Sequence, residues 1–229
     1  MMLYWKKTPF ALEIPVSPPF QPFRLAVEAL SVDRGGRRVI EGIDFEVASA
    51  EALLITGPNG VGKSTLLRAL AGLCRPAEGA VRFLANGTAD PDEVGRHVHY
   101  LGHRDAVKPA LTVRENLAFW RDFLGADSGG LSIEAALDTM GLLDIASLPA
   151  AYLSAGQRRR LAIARLVAVR RPLWLLDEPT AALDAASEAS LVGLMATHLR
   201  AGGALIAATH LALALAGARS LRLVAGEMD

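Results

Sequence analysis

The sequence predicts an α/β fold, in which a parallel sheet with helices on both faces carries a small antiparallel β subdomain and an inserted helical subdomain. Three observations support this prediction. RLAVEALSV and RRVIEGIDFEV, joined through residues 34–37, have the pattern of two antiparallel strands. Between about residues 104 and 151 no strong strand signal is seen. After residue 156 helices and strands alternate with short links, which is typical of a parallel sheet.

The individual elements follow from local patterns. ALLIT is a short apolar run that ends at a glycine turn, as expected of a buried parallel strand, and residues 63–72 follow it as a helix. GAVRFLANG and HVHYLG have the composition of further strands. Thr112 and Glu115 form a capping box that predicts a helix to about Leu124, and residues 131–140 indicate a second helix. Beyond them we expect, in order, helix 156–171, strand PLWLLD, helix 185–200, strand ALIAAT, a helix in LALALAGA and strand SLRLV.

Length and composition limit the possible classes of protein. The 229 residues fit one domain, which we expect at residues 24–229 with its helical subdomain at about 104–155. Residues 1–23 carry five prolines and no secretory signal pattern, so we expect either an extended or disordered tail there or a start codon assigned too early. The 24 basic and 24 acidic residues balance, which argues against a nucleic-acid partner. We interpret the run Arg158–Arg160 as a solvated helix face with one or two ion pairs.

One apolar segment has the length of a membrane span. Residues 201–218 carry no formal charge over about 18 positions, the nominal length that crosses a bilayer. Gly202-Gly203 opens the segment and Thr209-His210 interrupts it, so a buried strand followed by a helix is the better interpretation. Any membrane contact is therefore expected to be peripheral and made through a partner.

The segment GPNGVGKST matches the phosphate-binding pattern G-x-x-x-x-G-K-[ST]. A strand precedes it and a helix follows it, a context that a glycine-rich turn with a stray lysine does not require. Glycines let successive backbone N–H groups turn towards phosphates, and the helix N-terminus adds its positive dipole end. Lys63 can reach the β- and γ-phosphates of ATP, and the Ser64 hydroxyl can bind Mg²⁺. The predicted nucleotide-binding residues are Gly57, Pro58, Asn59, Gly60, Val61, Gly62, Lys63, Ser64 and Thr65.

The segment LWLLDEP supplies two adjacent carboxylates. Leu173–Leu176 form an apolar strand, and Asp177 ends it at the edge where α/β sheets bind ligands. We expect Asp177 to hold Mg²⁺ through water and Glu178 to act as the general base for an attacking water. By itself, an Asp-Glu pair after a strand is more often a surface turn. The phosphate-binding loop upstream reverses that preference.

LSAGQ decides which kind of phosphate-loop protein the sequence resembles. Ser154 and Gln157 alone would be another capping box at a helix start. Here they lie some twenty residues before the Asp-Glu strand, and this arrangement resembles the signature of the ABC ATPases. The resemblance runs from about Arg24 onwards and includes the phosphate loop, LSAGQRRRLAIARL, LWLLDEPTAALD and the segment ATH that ends at His210. It implies a P-loop NTPase with a RecA-like parallel sheet.

The resemblance also implies how the motifs cooperate. Two such domains stack head to tail, with each ATP between the glycine loop of one domain and the signature of the other. The Ser154 hydroxyl and the Gly156 N–H then face the γ-phosphate, and Gln157 belongs to the same nucleotide-binding group. Asp184 lies at the dimer seam beside the opposite site. His210 binds the γ-phosphate and holds the general base and its water in place.

Two positions depart from the pattern of the family. ABC domains usually carry a glutamine where the sheet meets the helical insertion, and the matching residue after YLG is His103. Most relatives also stack adenine on a tyrosine in the first strands, but no aromatic residue occurs between Phe23 and Phe45. Arg34 is the candidate for stacking on the base, and weak adenine packing is the alternative. The resemblance therefore gives three catalytic residues: Glu178, His210 and His103.

Two longer segments resemble a narrower group of ABC proteins. YLGHRDAVKPALTVRENLAFW and RRRLAIARLVAVRRPLWLLDEP are similar to the ATP-binding subunits of cytochrome c biogenesis haem exporters. This resemblance implies an ATPase that works with Mg²⁺ as a homodimer and couples to integral membrane permease subunits. It also implies a peripheral location on the cytoplasmic face of the bacterial inner membrane. Haem, or a haem–chaperone complex, would be a partner only indirectly, since no residue in the sequence reports on haem.

Three other functions remain open at this stage. One is a soluble ABC ATPase that acts on DNA, ribosomes or iron–sulfur assembly, but such proteins usually carry two ATP domains, coiled-coil arms or basic tails, and the sequence shows none of these. An ABC ATPase for another exported substrate would share every motif described above. A phosphate-loop kinase or simple nucleotide-binding module would not explain the signature together with Asp184 and His210.

Overall fold

The structure is a computed structural model that describes residues 19–85, 88–89, 94–125, 129–210 and 213–224. The chain divides into two compact units. The unit that we call the sheet unit comprises Ser17–Arg104, Arg171–Pro179 and Met195–Asp229. The helical unit comprises Asp105–Arg170 and Thr180–Leu194, together with Met1–Val16, which lie outside the described residues. The predicted tail is likewise outside them as far as residue 18, and the first strand begins at Phe23.

The predicted alternation of strands and helices is confirmed. The strands are β1 (Phe23–Arg34), β2 (Arg37–Ala48), β3 (Ala52–Thr56), β4 (Glu78–Ala85), β5 (Thr88–Ala89), β6 (Val98–Leu101), β7 (Leu173–Asp177), β8 (Ala204–Ala208) and β9 (Arg219–Arg222). The α-helices are α1 (Lys63–Leu70), α2 (Val94–His97), α3 (Val113–Leu124), α4 (Ile133–Thr139), α5 (Ala155–Ala168) and α6 (Ala185–Arg200). Short 3₁₀ turns occur at Leu143–Ile145 and Ala150–Tyr152.

The sheet unit contains two sheets. Strands β2-β1-β4-β5 form an antiparallel sheet in that order, and the predicted β1–β2 hairpin is present. Strands β6-β7-β8-β3-β9 form a parallel sheet in that order. In the parallel sheet Ala208 of β8 pairs with both Ile55 of β3 and Asp177 of β7, so these three neighbouring strands end at the same level. The loops that follow them therefore meet at one edge of the sheet.

The core of the sheet unit explains why β7 and β8 are so apolar. Both strands are buried along their whole length, as expected for the middle of a parallel sheet covered on both faces. Helix α1 packs against β7 and β8. The fully buried side chains of this core include Leu25, Leu30, Ile55, Leu66, Leu67, Leu70, Leu173, Leu175 and Ile206.

The helical unit is built from α3, α4 and α5, with α5 packed against the other two. The capping box predicted for α3 is present, because the Thr112 side chain accepts from the Glu115 N–H and the Glu115 carboxylate accepts from the Thr112 N–H. Ser132 caps α4 in the same direction by accepting from the Ala135 N–H. These caps satisfy backbone N–H groups that the first helical turn cannot pair internally.

The helix predicted in LALALAGA is wrong. Within the described part of this segment, residues 213–218 are not helical. Leu213 and Leu215 are buried, whereas Ala214 and Ala216 are exposed, so the segment buries every second side chain and not every third or fourth. The alternation of Leu and Ala with a period of two therefore predicts the burial of this segment better than a helical pattern does. Across the described residues, no helix is long and apolar enough to cross a membrane.

Candidate nucleotide-binding and hydrolysis site

The phosphate loop connects β3 to α1 and is shaped by glycines at the positions where side chains do not fit. Gly57 and Gly62 have φ angles of 139° and 112°, which L side chains rarely adopt. A Cβ atom on Gly57 would lie 2.4 Å from the Leu223 carbonyl oxygen, and one on Gly62 would lie 2.8 Å from Ile40 Cδ1. The loop can therefore hold this path against β2 and the end of β9 only with glycine at both positions.

Lys63 is the first residue of α1 and folds back over the loop. Its ammonium Nζ donates to the Gly57 carbonyl at 2.8 Å and to the Pro58 carbonyl at 3.0 Å, and its side chain is buried. These two carbonyl contacts hold the positive charge at the mouth of the loop, where phosphate oxygens can replace them. Ser64 and Thr65 follow in the first turn of α1, whose N–H groups have no acceptor within the helix.

The ends of β7 and β8 place two predicted catalytic side chains in contact. Glu178 directly follows β7, and His210 follows β8 by two residues. The distance between His210 Nε2 and Glu178 Oε1 is 3.1 Å, and the histidine is the more exposed partner. The strand order β7-β8-β3 sets this pair beside the loop that begins at Gly57.

Glu178 has an unusual backbone conformation. Its φ angle is 46°, in the left-handed region, which costs a residue with a side chain about 1–2 kcal/mol. Its N–H donates to the Ala208 carbonyl at 2.9 Å, so the strained residue is fixed to the end of β8. Strain of this kind persists where the surroundings impose it and is common at functional sites. Here it directs the carboxylate towards His210.

The donor set at the strand ends fits a magnesium ion that is also bound by phosphate. Ser64 offers a hydroxyl and Asp177 a carboxylate, both hard oxygen ligands of the kind that Mg²⁺ prefers. Asp177 is 2% exposed, and a buried carboxylate is costly unless cations or hydrogen bonds compensate it. No group of three or more His, Cys, Asp or Glu side chains that could hold a metal occurs within the described ranges. Phosphate and water would therefore supply the remaining ligands.

Tyr100 and Arg68 are site neighbours that sequence reasoning missed. The Tyr100 side chain on β6 interacts with Arg68 of α1 and with Asp177, and its burial raises the pKa of the Tyr100 phenol. A neutral phenol and a guanidinium therefore accompany the buried carboxylate. Gly102 makes room for the ring, since a Cβ there would lie 3.1 Å from Tyr100 Cε1. The segment YLG contained this signal, because only a small residue fits two positions after the tyrosine.

His103 and Arg34, the two predicted site residues at departures from the family pattern, are both exposed and lie at or just beyond the end of a strand. His103 lies two residues beyond β6, whose last residue pairs with Leu176 of β7, and it is exposed. Arg34 is exposed at the end of β1, opposite Arg37 in the hairpin. The start of β2, rather than Arg34 itself, contacts the phosphate loop at Gly62.

The signature residues lie in the helical unit at the start of α5. Ser154 is the N-cap: its hydroxyl oxygen accepts from the Gln157 N–H at 3.2 Å, and the Gln157 side-chain oxygen accepts from the Ser154 N–H at 2.8 Å. Ser154 is exposed, and a hydroxyl that accepts one bond can still donate another. Gly156 is close to the Ala182 carbonyl, at 3.3 Å from a Cβ built on it.

Asp184 also belongs to the helical unit. Its carboxylate Oδ1 accepts from the Ser187 N–H at 2.8 Å and so caps the start of α6. The residue is exposed, and its charge acts on Arg160 of α5. The loop that carries Asp184 and the first turn of α5 therefore lie together within this unit.

The interpretation of Arg158–Arg160 as a solvated face is wrong for its central residue. Arg159 is only 2% exposed, and its guanidinium Nη1 lies 3.0 Å from Asp105 Oδ1. The predicted ion pair is present, but inside the helical unit. A helix that packs against two others has too little free surface for three consecutive arginines to remain solvated.

Comparisons with known proteins agree with the geometry. A model of the family described as ABC transporter matches residues 40–181. A protein of Chelativorans sp. (strain BNC1) named cytochrome c biogenesis ATP-binding export protein CcmA is 56% identical over 203 residues, covering 89% of this chain and 99% of that protein. A protein of Mesorhizobium japonicum with the same name is 54% identical over 203 residues, covering 89% and 100%.

Solved structures support the fold. A putative ABC transporter ATP-binding protein from Pyrococcus furiosus superposes with a TM-score of 0.72 at 24% identity, over 87% of this chain and 97% of that chain. A bacterial Atm1-family ABC exporter with ATP bound gives a TM-score of 0.73 at 26% identity, over 93% of this chain and 39% of the exporter chain. The P-loop NTPase fold is thereby confirmed. The chain belongs to the ABC transporter family of ATPases and, within it, to the CcmA family of cytochrome c biogenesis ATP-binding export proteins.

Proposed function

We propose that this chain is the ATP-binding and ATP-hydrolysing subunit of a membrane ABC complex that powers haem export or haem handling in c-type cytochrome maturation. The observation that carries the hydrolytic part is the Glu178–His210 pair at the strand ends beside the phosphate loop. The names of relatives at 54–56% identity support the assignment to cytochrome c maturation.

ATP binding begins with an exchange of partners at Lys63. Its ammonium group leaves the Gly57 and Pro58 carbonyls and binds phosphate oxygens, while the loop N–H groups and the α1 dipole stabilise the remaining charge. Ser64 and Asp177 would hold Mg²⁺, which would supply neutralisation of the phosphate charge. Hydrogen bonds to charged phosphate oxygens replace hydrogen bonds to neutral carbonyls in this exchange, which favours the bound state.

Hydrolysis uses the Glu178 carboxylate as the general base. Its Oε1 atom lies 3.1 Å from His210 Nε2, and the carboxylate accepts the proton of the attacking water. His210 also donates to the γ-phosphate. The fixed backbone of Glu178 restricts the positions that the carboxylate can reach, which lowers the entropic cost of the reaction.

A second copy of the chain completes each site. Ser154 and Gly156 of that copy contact the γ-phosphate, and its Gln157 and Asp184 support the closed arrangement. The exposure of Ser154 and Asp184 in one chain supports this role, since both can still meet a partner. We assign His103 to the water and the metal, and Arg34 to the adenine base.

The subunit acts on the membrane indirectly. The helical subdomain, at about residues 104–155 of the ATP-binding domain 24–229, transmits closure of the dimer to integral permease subunits. This places the protein peripherally on the cytoplasmic face of the bacterial inner membrane. Haem or its chaperone complex is contacted only through those subunits. The change between open and closed states that ATP drives is what acts on them.

The substitution Glu178→Gln tests the proposed function. We expect the rate of ATP hydrolysis to fall by about 10²-fold or more, while ATP affinity changes by less than about threefold, because only the proton acceptor is lost. Glu46→Gln, in an exposed ion pair with Arg24, is the matched control and should hydrolyse ATP normally. Normal hydrolysis by Glu178→Gln, or phosphate transfer to an acceptor other than water, would contradict the proposal.

A further inference from the structure

A buried cluster of charges lies in the helical unit and contains none of the residues assigned to ATP. It consists of Arg159 and Arg165 on α5 and of Asp105, the first residue of the segment Asp105–Arg170 of this unit. The two arginines are 2% and 6% exposed, and the Asp105 side chain is 24% exposed. The Arg159 guanidinium contacts the Asp105 carboxylate at 3.0 Å. Two cations on one helix are thus buried, one in contact with the Asp105 carboxylate and the other attracted by its charge.

Arg165 is held by α3 as well as by its own helix. Its Nε donates to the Ala162 carbonyl at 3.0 Å, and its guanidinium lies 4.4 Å from the centre of the Trp120 ring. Burial, followed by repulsion from Arg159, lowers the pKa of Arg165 to about 10, against the attraction of Asp105. Arg165 therefore keeps its charge at neutral pH.

Asp105 belongs to a segment that is firmly attached to the helical unit. Trp120 Nε1 donates to the Ala106 carbonyl at 3.2 Å. The buried Asn116 side chain accepts from the Lys108 N–H at 2.8 Å and donates to the Lys108 and Thr112 carbonyls at 3.0 and 2.9 Å. The chain enters the unit at Asp105, two residues after His103. Asp105 thus joins the point of entry to the helix that begins at the signature.

We propose that Asp105 is a positioning residue for ATP hydrolysis. Its carboxylate holds the two buried guanidinium groups of α5 in place, and so fixes the direction of the helix whose first turn presents Ser154 and Gly156. This inference rests on the proposed function, because it assumes that this first turn binds the ATP held by a second copy. Asp105 itself touches no reacting atom.

The electrostatics predict that replacing Asp105 and replacing Arg159 have effects of different size. Replacing Asp105 by Asn removes the attraction that acts on both arginines and leaves their mutual repulsion in a poorly solvated site. Replacing Arg159 by Gln removes that repulsion and leaves Asp105 to face Arg165. The defect should therefore decrease in the order Asp105→Asn, then the double variant Asp105→Asn/Arg159→Gln, then Arg159→Gln. A pair that contributes only one hydrogen bond would not make the double variant better than Asp105→Asn.

The experiment measures two quantities in a Glu178→Gln background, where ATP is bound without turnover. These are the ATP affinity of the single chain at low protein concentration and the ATP-dependent dimerisation constant from sedimentation. We expect Asp105→Asn to weaken ATP-dependent dimerisation by about tenfold, with ATP affinity of the single chain within about twofold of the parent. Adding Arg159→Gln should restore part of the loss. Asp105→Glu, which keeps the charge, should dimerise nearly as the parent does.

Arg114→Gln is the matched control, because it breaks the exposed Arg114–Glu134 ion pair in the same unit and should leave both quantities unchanged. Equal dimerisation of Asp105→Asn and the parent would overturn the inference, as would a double variant worse than Asp105→Asn. If Asp105→Asn does not fold, Asp105→Glu decides: a defect as large as that of the double variant overturns the inference. Absence of an ATP-dependent dimer in Glu178→Gln itself would instead overturn the proposed function, and the inference with it.

Discussion

Two helix N-termini carry the predicted phosphate contacts, and they are built in opposite ways. Helix α1 in the sheet unit starts after Gly62, with no side-chain cap. Helix α5 in the helical unit starts after Ser154, with a complete capping box formed with Gln157. Neither first turn contains an acidic residue, whereas α3, α4 and α6 each have one, namely Glu115, Glu134 and Glu188. Both helices thus avoid a negative charge that would compete with phosphate.

The difference between them indicates a division of labour. Because α1 has no side-chain cap, its first N–H groups can bind an anion. This suits a tight phosphate site that is present in a single chain. The capped α5 already satisfies part of its own first turn, so it is stable without ATP and offers only the Ser154 hydroxyl and a few N–H groups. We therefore expect α1 to determine ATP affinity and α5 to determine the step that depends on a second copy.

Among the substitutions that test this comparison, Lys63→Ala should have the largest effect, and the quantity that it changes is ATP affinity. Loss of the ammonium group removes the charged hydrogen bonds to the phosphates, and we expect ATP affinity to fall by about 10²-fold, or roughly 3 kcal/mol. Calorimetric titration of the single chain with ATP measures this. Lys108→Ala, which removes an ammonium group stacked on Phe119 in the helical unit, is the control and should bind ATP normally. If ATP affinity fell by less than about threefold in Lys63→Ala, residues other than Lys63 would determine ATP affinity.

Substitutions of Ser154 separate the capping role from the phosphate role. Ser154→Ala should lower the free energy of unfolding by about 1 kcal/mol through loss of the cap. Ser154→Asp keeps a good cap but sets a negative charge against the γ-phosphate, so the unfolding midpoint should be retained while ATP hydrolysis falls by about tenfold or more. Paired thermal unfolding and ATPase assays test this. Normal hydrolysis by Ser154→Asp would show that this helix start does not meet phosphate.

Arg34→Tyr should have the smallest effect on ATP affinity. It tests which residue packs on the adenine base of the ATP that α1 binds. If the guanidinium of Arg34 packs on adenine, an aromatic ring at this position should do the same with more contact area and raise ATP affinity by about two- to fivefold. Competition binding against a fluorescent nucleotide measures this. Arg37→Tyr, across the same hairpin, is the control. A gain from Arg37→Tyr, and none from Arg34→Tyr, would move the base to the other side of the hairpin.

Sequence reasoning succeeded where a structural element depends on a short local pattern. The phosphate loop, the strand ending at Asp177 and the cap at Ser154 are each encoded within about ten residues, and strand order then brings the strand ends together. It failed where burial depends on the partners of a helix. Arg159 looks solvated in a row of arginines, yet it is buried against Asp105 on a helix that packs against α3 and α4. The left-handed backbone of Glu178 likewise depends on its bond to Ala208, which no local pattern reveals.

The central claim is that the α1 of one copy and the α5 of another bind the same ATP, and mixing two inactive variants tests it most directly. Lys63→Ala should lack a working loop and Ser154→Asp a working signature, so each alone should be nearly inactive. In an equal mixture about half of the dimers are mixed, and each has one intact site of two, so ATPase activity should return to about a quarter of the original. A mixture that stays as inactive as its components would contradict the claim.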